Sequence, residues 1–150
     1  MMKRFMAMLL VLLALFCLTG CAQAVVPMAT EPAIAEDGWY DSRDEVALYI
    51  HLYERLPDNY ITKAEARELG WEGGGLERYA PGMSIGGDRF GNYEGALPDA
   101  RGRTWRECDI GTAGKSSRGA KRIVYSSDGL VFYTDDHYET FEQLYDGKEK

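Results

Sequence analysis

Lys121-Arg122-Ile123-Val124-Tyr125-Ser126-Ser127-Asp128-Gly129-Leu130-Val131-Phe132-Tyr133-Thr134 is two runs of β-branched and aromatic residues joined through Asp-Gly. Asp-Gly is the dipeptide that turns tight hairpins, because both positions tolerate positive φ. The runs predict strands over 121–126 and 130–134. Working outward, residues 103–110 and 140–145 have the same composition and predict two more short strands. Ser84-Ile85-Gly86-Gly87-Asp88-Arg89-Phe90 reads as a strand running into the loop Gly91-Asn92-Tyr93-Glu94-Gly95.

The first half has a different period. Val46, Tyr49, Ile50 and Tyr53 recur at helical spacing and predict an amphipathic helix over 42–55, which Pro57 forbids from continuing. Thr62 followed by Glu65 is a capping-box pattern that starts a second helix, with Gly70 placed to end it. A glycine-rich connection, 73–75, leads to an expected short helical turn over 76–79. Helices followed by hairpin-linked strands predict an α+β domain, with the N-terminal helices packed on one face of a C-terminal antiparallel β-sheet.

The N-terminus reads as an address. Lys3 and Arg4 precede an uncharged apolar run from Phe5 to Leu18, which is short for a membrane span and suits a secretory signal. Two cleavage readings stay open. Leu18-Thr19-Gly20-Cys21 resembles a lipobox, which would lipidate Cys21 and anchor the chain to a membrane; Ala22-Gln23-Ala24 fits ordinary signal peptidase and soluble release. The expected organisation is a signal over 1–20, a flexible leader over 21–36, a domain over 37–146 and a tail over 147–150. The expected location is extracellular, soluble or membrane-tethered. Cys108 is the one cysteine inside the domain, so no disulfide framework supports it. A core of roughly 110 residues is large enough to do so alone, as a monomer.

The whole chain has a formal net charge of −7. Residues 1–20 hold Lys3 and Arg4 and no acid, so the rest carries 15 basic against 24 acidic side chains, a formal −9. Such a balance repels nucleic acid at long range, and a nucleic-acid function would need a local cationic cleft.

Candidate chemistry sits in two segments. Gly102-Arg103-Thr104-Trp105-Arg106-Glu107 brings a carboxylate and guanidiniums onto a strand; Asp136-His137-Tyr138 supplies one of the two histidines. A carboxylate is ionised near neutrality while an imidazole titrates there, so the pair suits base and acid in metal-free phosphodiester cleavage. Arg103, Arg118 and Arg122 are expected to converge as phosphate forks. Lys63, disfavoured by the dipole at a helix N-terminus, hints at function. Backbone N–H groups of the 90–95 loop with the Glu94 carboxylate would complement guanine, and Tyr138 would stack on a base. Phosphate cradling by Gly86-Gly87 is a weak competitor, because no P-loop pattern surrounds it. No metal-ligand spacing is present, and the chemistry calls for no cofactor. Cys108, beside Glu107, points to the opposite side of a strand and reads as a buried hydrophobe. A non-catalytic surface lipoprotein or binding module with the same fold is the alternative, although it would need no acid–base pair.

These motifs, together with Leu56-Pro57-Asp58-Asn59-Tyr60-Ile61-Thr62-Lys63, Leu69-Gly70-Trp71, Ser84-Ile85-Gly86-Gly87-Asp88 and Tyr125-Ser126-Ser127-Asp128, closely resemble the barnase-type secreted bacterial guanyl-preferring ribonucleases. The resemblance runs from Asp41 to Phe141. It implies cleavage of RNA 3′ of guanosine through a 2′,3′-cyclic phosphate. By position it implies Glu107 as general base, His137 as general acid, and Lys63, Arg118 and Arg122 as the cations at phosphorus. It also implies Glu94 with the Phe90, Gly91, Asn92 and Tyr93 loop as guanine site, Tyr138 as stacking residue, and Asp88, Arg103 and Asp109 as supporting charges. A barstar-like intracellular inhibitor or immunity protein is an implied partner. The chain departs from the family pattern at Tyr93, where an arginine is usual, at Gly91, Gly129 and Glu54, and by one extra residue between Asp109 and Arg118. Its acidity implies weaker, more salt-tolerant RNA binding.

Overall fold

The structure, a computed structural model, describes residues 34–147. The signal, Cys21 and the body of the leader lie outside the described residues. Helix α1 (Arg43–Tyr53) begins where the Ser42 hydroxyl accepts from Glu45 N–H, and it buries Val46, Ala47, Tyr49 and Ile50. Helix α2 (Lys63–Glu68) opens on the expected capping box: Thr62 accepts from Glu65 N–H while Glu65 accepts from Thr62 N–H. Both orphan donors are satisfied at once, which makes so short a helix viable. The stretch over 76–79 forms the expected short turn, closed by bonds from Tyr79 and Ala80 N–H to the Leu76 carbonyl.

Six strands form one sheet in sequence order: β1 (Tyr60–Ile61), β2 (Ser84–Phe90), β3 (Trp105–Asp109), β4 (Arg122–Ser126), β5 (Val131–Thr134) and β6 (Glu142–Tyr145). β2 to β6 are antiparallel neighbours. This is the antiparallel sheet the sequence predicted, extended at one edge by β1, which pairs with β2 in parallel. A two-residue strand has no readable period, and tertiary pairing alone creates it.

Pleating divides the sheet into two faces. Cys108, Ile123 and Tyr133 are register partners on the face that α1 covers, with Val46, Ala47, Ile50, Tyr60, Ile110, Tyr125 and Val131 completing that core. Glu107, Val124 and Phe132 are partners on the opposite face, as are Asp109, Arg122 and Thr134. There a smaller core of Leu97, Trp105, Val124 and Phe132 floors one end of an open groove. A third cluster, of Ala66, Trp71, Leu76, Ala80 and Ile85, seats α2 against β2.

A register shift in β2 between Gly86 and Asp88 decides what faces the groove. Gly86 opposes Cys108 on the helix side, where an added Cβ would lie 2.6 Å from the Cys108 Cβ. Gly87, at φ 93, is the extra residue of the bulge, and Asp88 then falls opposite Glu107. The glycine pair is therefore a packing and bulge device. Ile34 is buried, and the Tyr53 and Tyr49 hydroxyls donate to the Ile34 and Glu36 carbonyls, which pins residues 34–36 against α1.

Candidate active site

Glu107 lies mid-strand on the groove face, where neighbours leave it almost wholly buried. Lys63 Nζ donates to its Oε1 at 2.8 Å, and the Tyr138 hydroxyl donates to its Oε2. The dipole cost of a lysine at the start of α2 is thus offset by an ion pair. Asp88 completes the link, since its Oδ2 accepts from the Lys63 backbone N–H at 2.9 Å. The bulge in β2 therefore sets the position of α2, and α2 sets the position of the ammonium on Glu107.

Two residues along the same face, Asp109 is 1% exposed. Arg118 forks onto it, Nε to Oδ2 at 2.7 Å and Nη2 to Oδ1 at 2.8 Å. Arg122 is also buried; its Nε lies 3.0 Å from Asp109 Oδ1, close but poorly aligned for a hydrogen bond. Its Nη1 donates to the Arg118 and Lys121 carbonyls. The bonds it donates to Asp109 raise the Arg118 guanidinium above its ordinary value. Asp109 thus anchors both arginines from behind. Trp71 steadies Arg118 from the side, with the guanidinium carbon 5.9 Å from its ring centroid. The sequence marks Trp71 only as part of a family motif and gives it no site role, because a tryptophan after a helix-ending glycine reads as ordinary core.

His137 and Tyr138 occupy consecutive left-handed positions, φ 58 and 76. Such backbone costs roughly 1–2 kcal/mol per residue unless the surroundings impose it. Asp136 and Thr134 do so here. Asp136 accepts from the Thr134 hydroxyl and from both N–H and hydroxyl of Thr140, and Thr134 Oγ1 accepts from Tyr138 N–H. The Thr140 bonds, with help from Thr134, pull the Asp136 carboxyl down to about 2. His137 N–H reaches the Ala120 carbonyl, tying the loop to the segment between the two arginines. Its exposed imidazole lies 4.8 Å, centroid to centroid, from the Tyr138 ring. Tyr138 is therefore flanked by Glu107 and His137. Burial, then the bond to Glu107, pushes its hydroxyl well up, while Arg122 opposes the shift.

Beyond Tyr138 opens a cavity of about 390 Å³, lined among others by Phe90, Asn92, Tyr93, Glu94, His137 and Tyr138. Asn92, at φ 47, braces the loop internally: its side chain donates to the Leu97 carbonyl and Asp99 and accepts from Leu97 N–H. Glu94 is exposed, and Tyr93 is 98% exposed. Gly91 makes room for the Tyr93 ring, since a Cβ there would lie 2.2 Å from it. Phe90 packs on Tyr138 at 5.3 Å.

Glu107, His137, Lys63, Arg118, Arg122, Asp88, Asp109 and Tyr138 are thus brought together, with the 90–94 loop adjoining. Arg103 is not. It is clamped by Asp128 through Nε and Nη2 and donates to the Pro98 carbonyl, at the hairpin end of the sheet. The expected convergence of Arg103 with Arg118 and Arg122 fails because a turn carboxylate captures it. Those bonds, with one from Ser126, hold the Asp128 carboxyl at about 2.

Comparison with known proteins places the chain in a family. A family model described as ribonuclease matches residues 43–145. A ribonuclease of Heyndrickxia coagulans is 56% identical over 103 residues, covering 67% of this chain and 94% of that protein. A ribonuclease of Bacillus intermedius is 56% identical over 103 residues, covering 67% of this chain and 63% of its own length. The guanyl-specific ribonuclease St of Saccharopolyspora erythraea is 44% identical over 55 residues, 37% of this chain and 54% of that protein. The chain belongs to the ribonuclease family.

Proposed function

We propose that this member of the ribonuclease family is a secreted endoribonuclease that cuts single-stranded RNA 3′ of guanosine, leaving a 2′,3′-cyclic phosphate. The observation that carries the reading is the shared phenol: the Tyr138 hydroxyl bonds Glu107 while its ring borders His137 at the mouth of the cavity.

The Glu107 carboxylate takes the proton of the ribose 2′-hydroxyl. The freed oxygen attacks phosphorus as the bond from phosphorus to the 5′-oxygen breaks, and the His137 imidazolium protonates that oxygen. Negative charge on the phosphoryl oxygens is met by Arg118, Arg122 and Lys63, whose positions are fixed before substrate arrives. Guanine is read by the Glu94 carboxylate with loop amides, and Tyr138 stacks on a base. Residues 1–20 direct export, with Cys21 lipidated or the chain released nearby. A barstar-like inhibitor would protect the producing cell.

Cleavage of guanosine-containing and adenosine-containing dinucleotides, with the cyclic product identified, tests reaction and base preference together. Glu107→Ala and His137→Ala should each lower kcat by about 10²–10⁴-fold. Undiminished rates in both variants, or loss of activity with EDTA, would refute the mechanism. Mass spectrometry of the mature N-terminus distinguishes lipidation from release.

A further inference from the structure

Helix α2 carries a second cation on the face that delivers Lys63 to Glu107. Arg67 lies four residues on, one turn along the same face. Its guanidinium carbon sits 6.0 Å from the Trp71 ring centroid, and that of Arg118 sits 5.9 Å from the same centroid. The two guanidinium carbons are therefore within about 12 Å of each other, by the triangle those distances allow. Trp71 is a fixed platform. It is buried, its Nε1 donates to the Gly74 carbonyl, and Gly75 N–H donates to the Ser116 carbonyl just before Arg118.

The two guanidiniums differ in their anions. Arg118 is committed to Asp109. Arg67 is exposed, and the ion pairs of this region, Lys63–Glu107, Arg118–Asp109 and Arg122–Asp109, leave it out. On its own helix, Glu65 is occupied in the capping box. An aromatic seat orders a guanidinium without neutralising it, so its full charge remains for an arriving anion. In a chain of net charge −7 such a group beside a phosphate-handling arginine stands out.

We propose that Arg67, seated on Trp71, binds a phosphate of the RNA chain neighbouring the scissile one. The proposal rests on the ribonuclease reading above. The contact lies outside the reacting centre, so only substrates longer than a dinucleotide reach it.

The experiment compares kcat/KM for a dinucleotide with a single phosphate and for tetranucleotides extended on either the 5′ or the 3′ side of the same step. Wild type should favour one tetranucleotide, and which one assigns the side of the subsite. Arg67→Gln should lower that substrate about two- to five-fold, the range of an exposed charge contact, and leave the dinucleotide unchanged. It should also flatten the dependence of log kcat/KM on log salt by about 0.7, one phosphate contact on a single strand. Arg67→Lys should restore part of both. Equal loss on dinucleotide and tetranucleotide, or no length preference in the wild type, overturns the subsite while leaving the ribonuclease reading standing. Failure of the wild type to cleave either substrate overturns both.

Discussion

Replacing Asp109 with asparagine should be the most damaging isosteric change in the groove. The carboxylate is 1% exposed and is shared by Arg118 and Arg122. The two guanidiniums then fare differently. The Arg118 side chain is 22% exposed and can regain water, whereas that of Arg122 is 3% exposed and cannot. One buried cation is left without its counter-charge, which costs about 3–5 kcal/mol. Asparagine keeps the shape and one acceptor, placing the loss near the lower end, about 3 kcal/mol. For a domain of this size that lowers Tm by about 12 °C or more. Urea unfolding followed by tryptophan fluorescence measures it, with the slope against urea unchanged if the native fold is kept. Inorganic phosphate should then stabilise the variant more than the wild type, because the arginines have lost their own anion. A loss below about 1 kcal/mol, or equal stabilisation by phosphate, would show that Asp109 does not hold the pair.

The Arg103 clamp has a signature in acid. Its bonds hold Asp128 at about 2 against an ordinary 3.8, so the folded form binds a proton less readily than the unfolded chain. The stabilisation is complete above about pH 4 and drains away as pH falls towards 2. Stability measured across that range should decline less steeply in Asp128→Asn, and an unchanged slope would exclude the clamp as its cause. Cys108 is 1% exposed, and burial pushes its thiol well up. Peptide mapping after a thiol reagent should therefore find it unlabelled in native protein and labelled in step with unfolding; rapid native labelling would contradict its place in the core.

Much of this was legible because it is local. Asp128-Gly129 announced a hairpin, and Thr62 with Glu65 announced the start of α2, since each signal is a short-range hydrogen-bond or dihedral requirement. The face of α1 was readable from its period. The strand alternation also placed Glu107 and Cys108 on opposite sides without knowledge of the fold. What could not be read depends on partners distant in sequence. β1 exists only because β2 pairs with it, and the bulge at Gly87 requires knowing that Cys108 lies opposite Gly86. Arg103 was assigned to the phosphate group because arginines on neighbouring strands look alike. Only the fold reveals that Asp128 reaches one and Asp109 the other two.

The charge balance within the groove explains how so acidic a chain can act on a polyanion. Lys63, Arg118 and Arg122 are offset by Glu107, Asp109 and Asp88, all brought to the same face. These side chains carry no net excess of positive charge. Attraction at long range is consequently weak, and the groove must act through oriented donors at contact distance, where direction matters more than sum. Arg67 then becomes the exception that matters. It lies beside this groove, held on Trp71, and takes part in none of the ion pairs formed there among the described residues. On the proposed reading, a site with balanced charge where the phosphodiester reacts and an uncompensated cation one step away uses that cation to hold the strand. It follows that substrate length should govern KM while the anchored groups govern kcat.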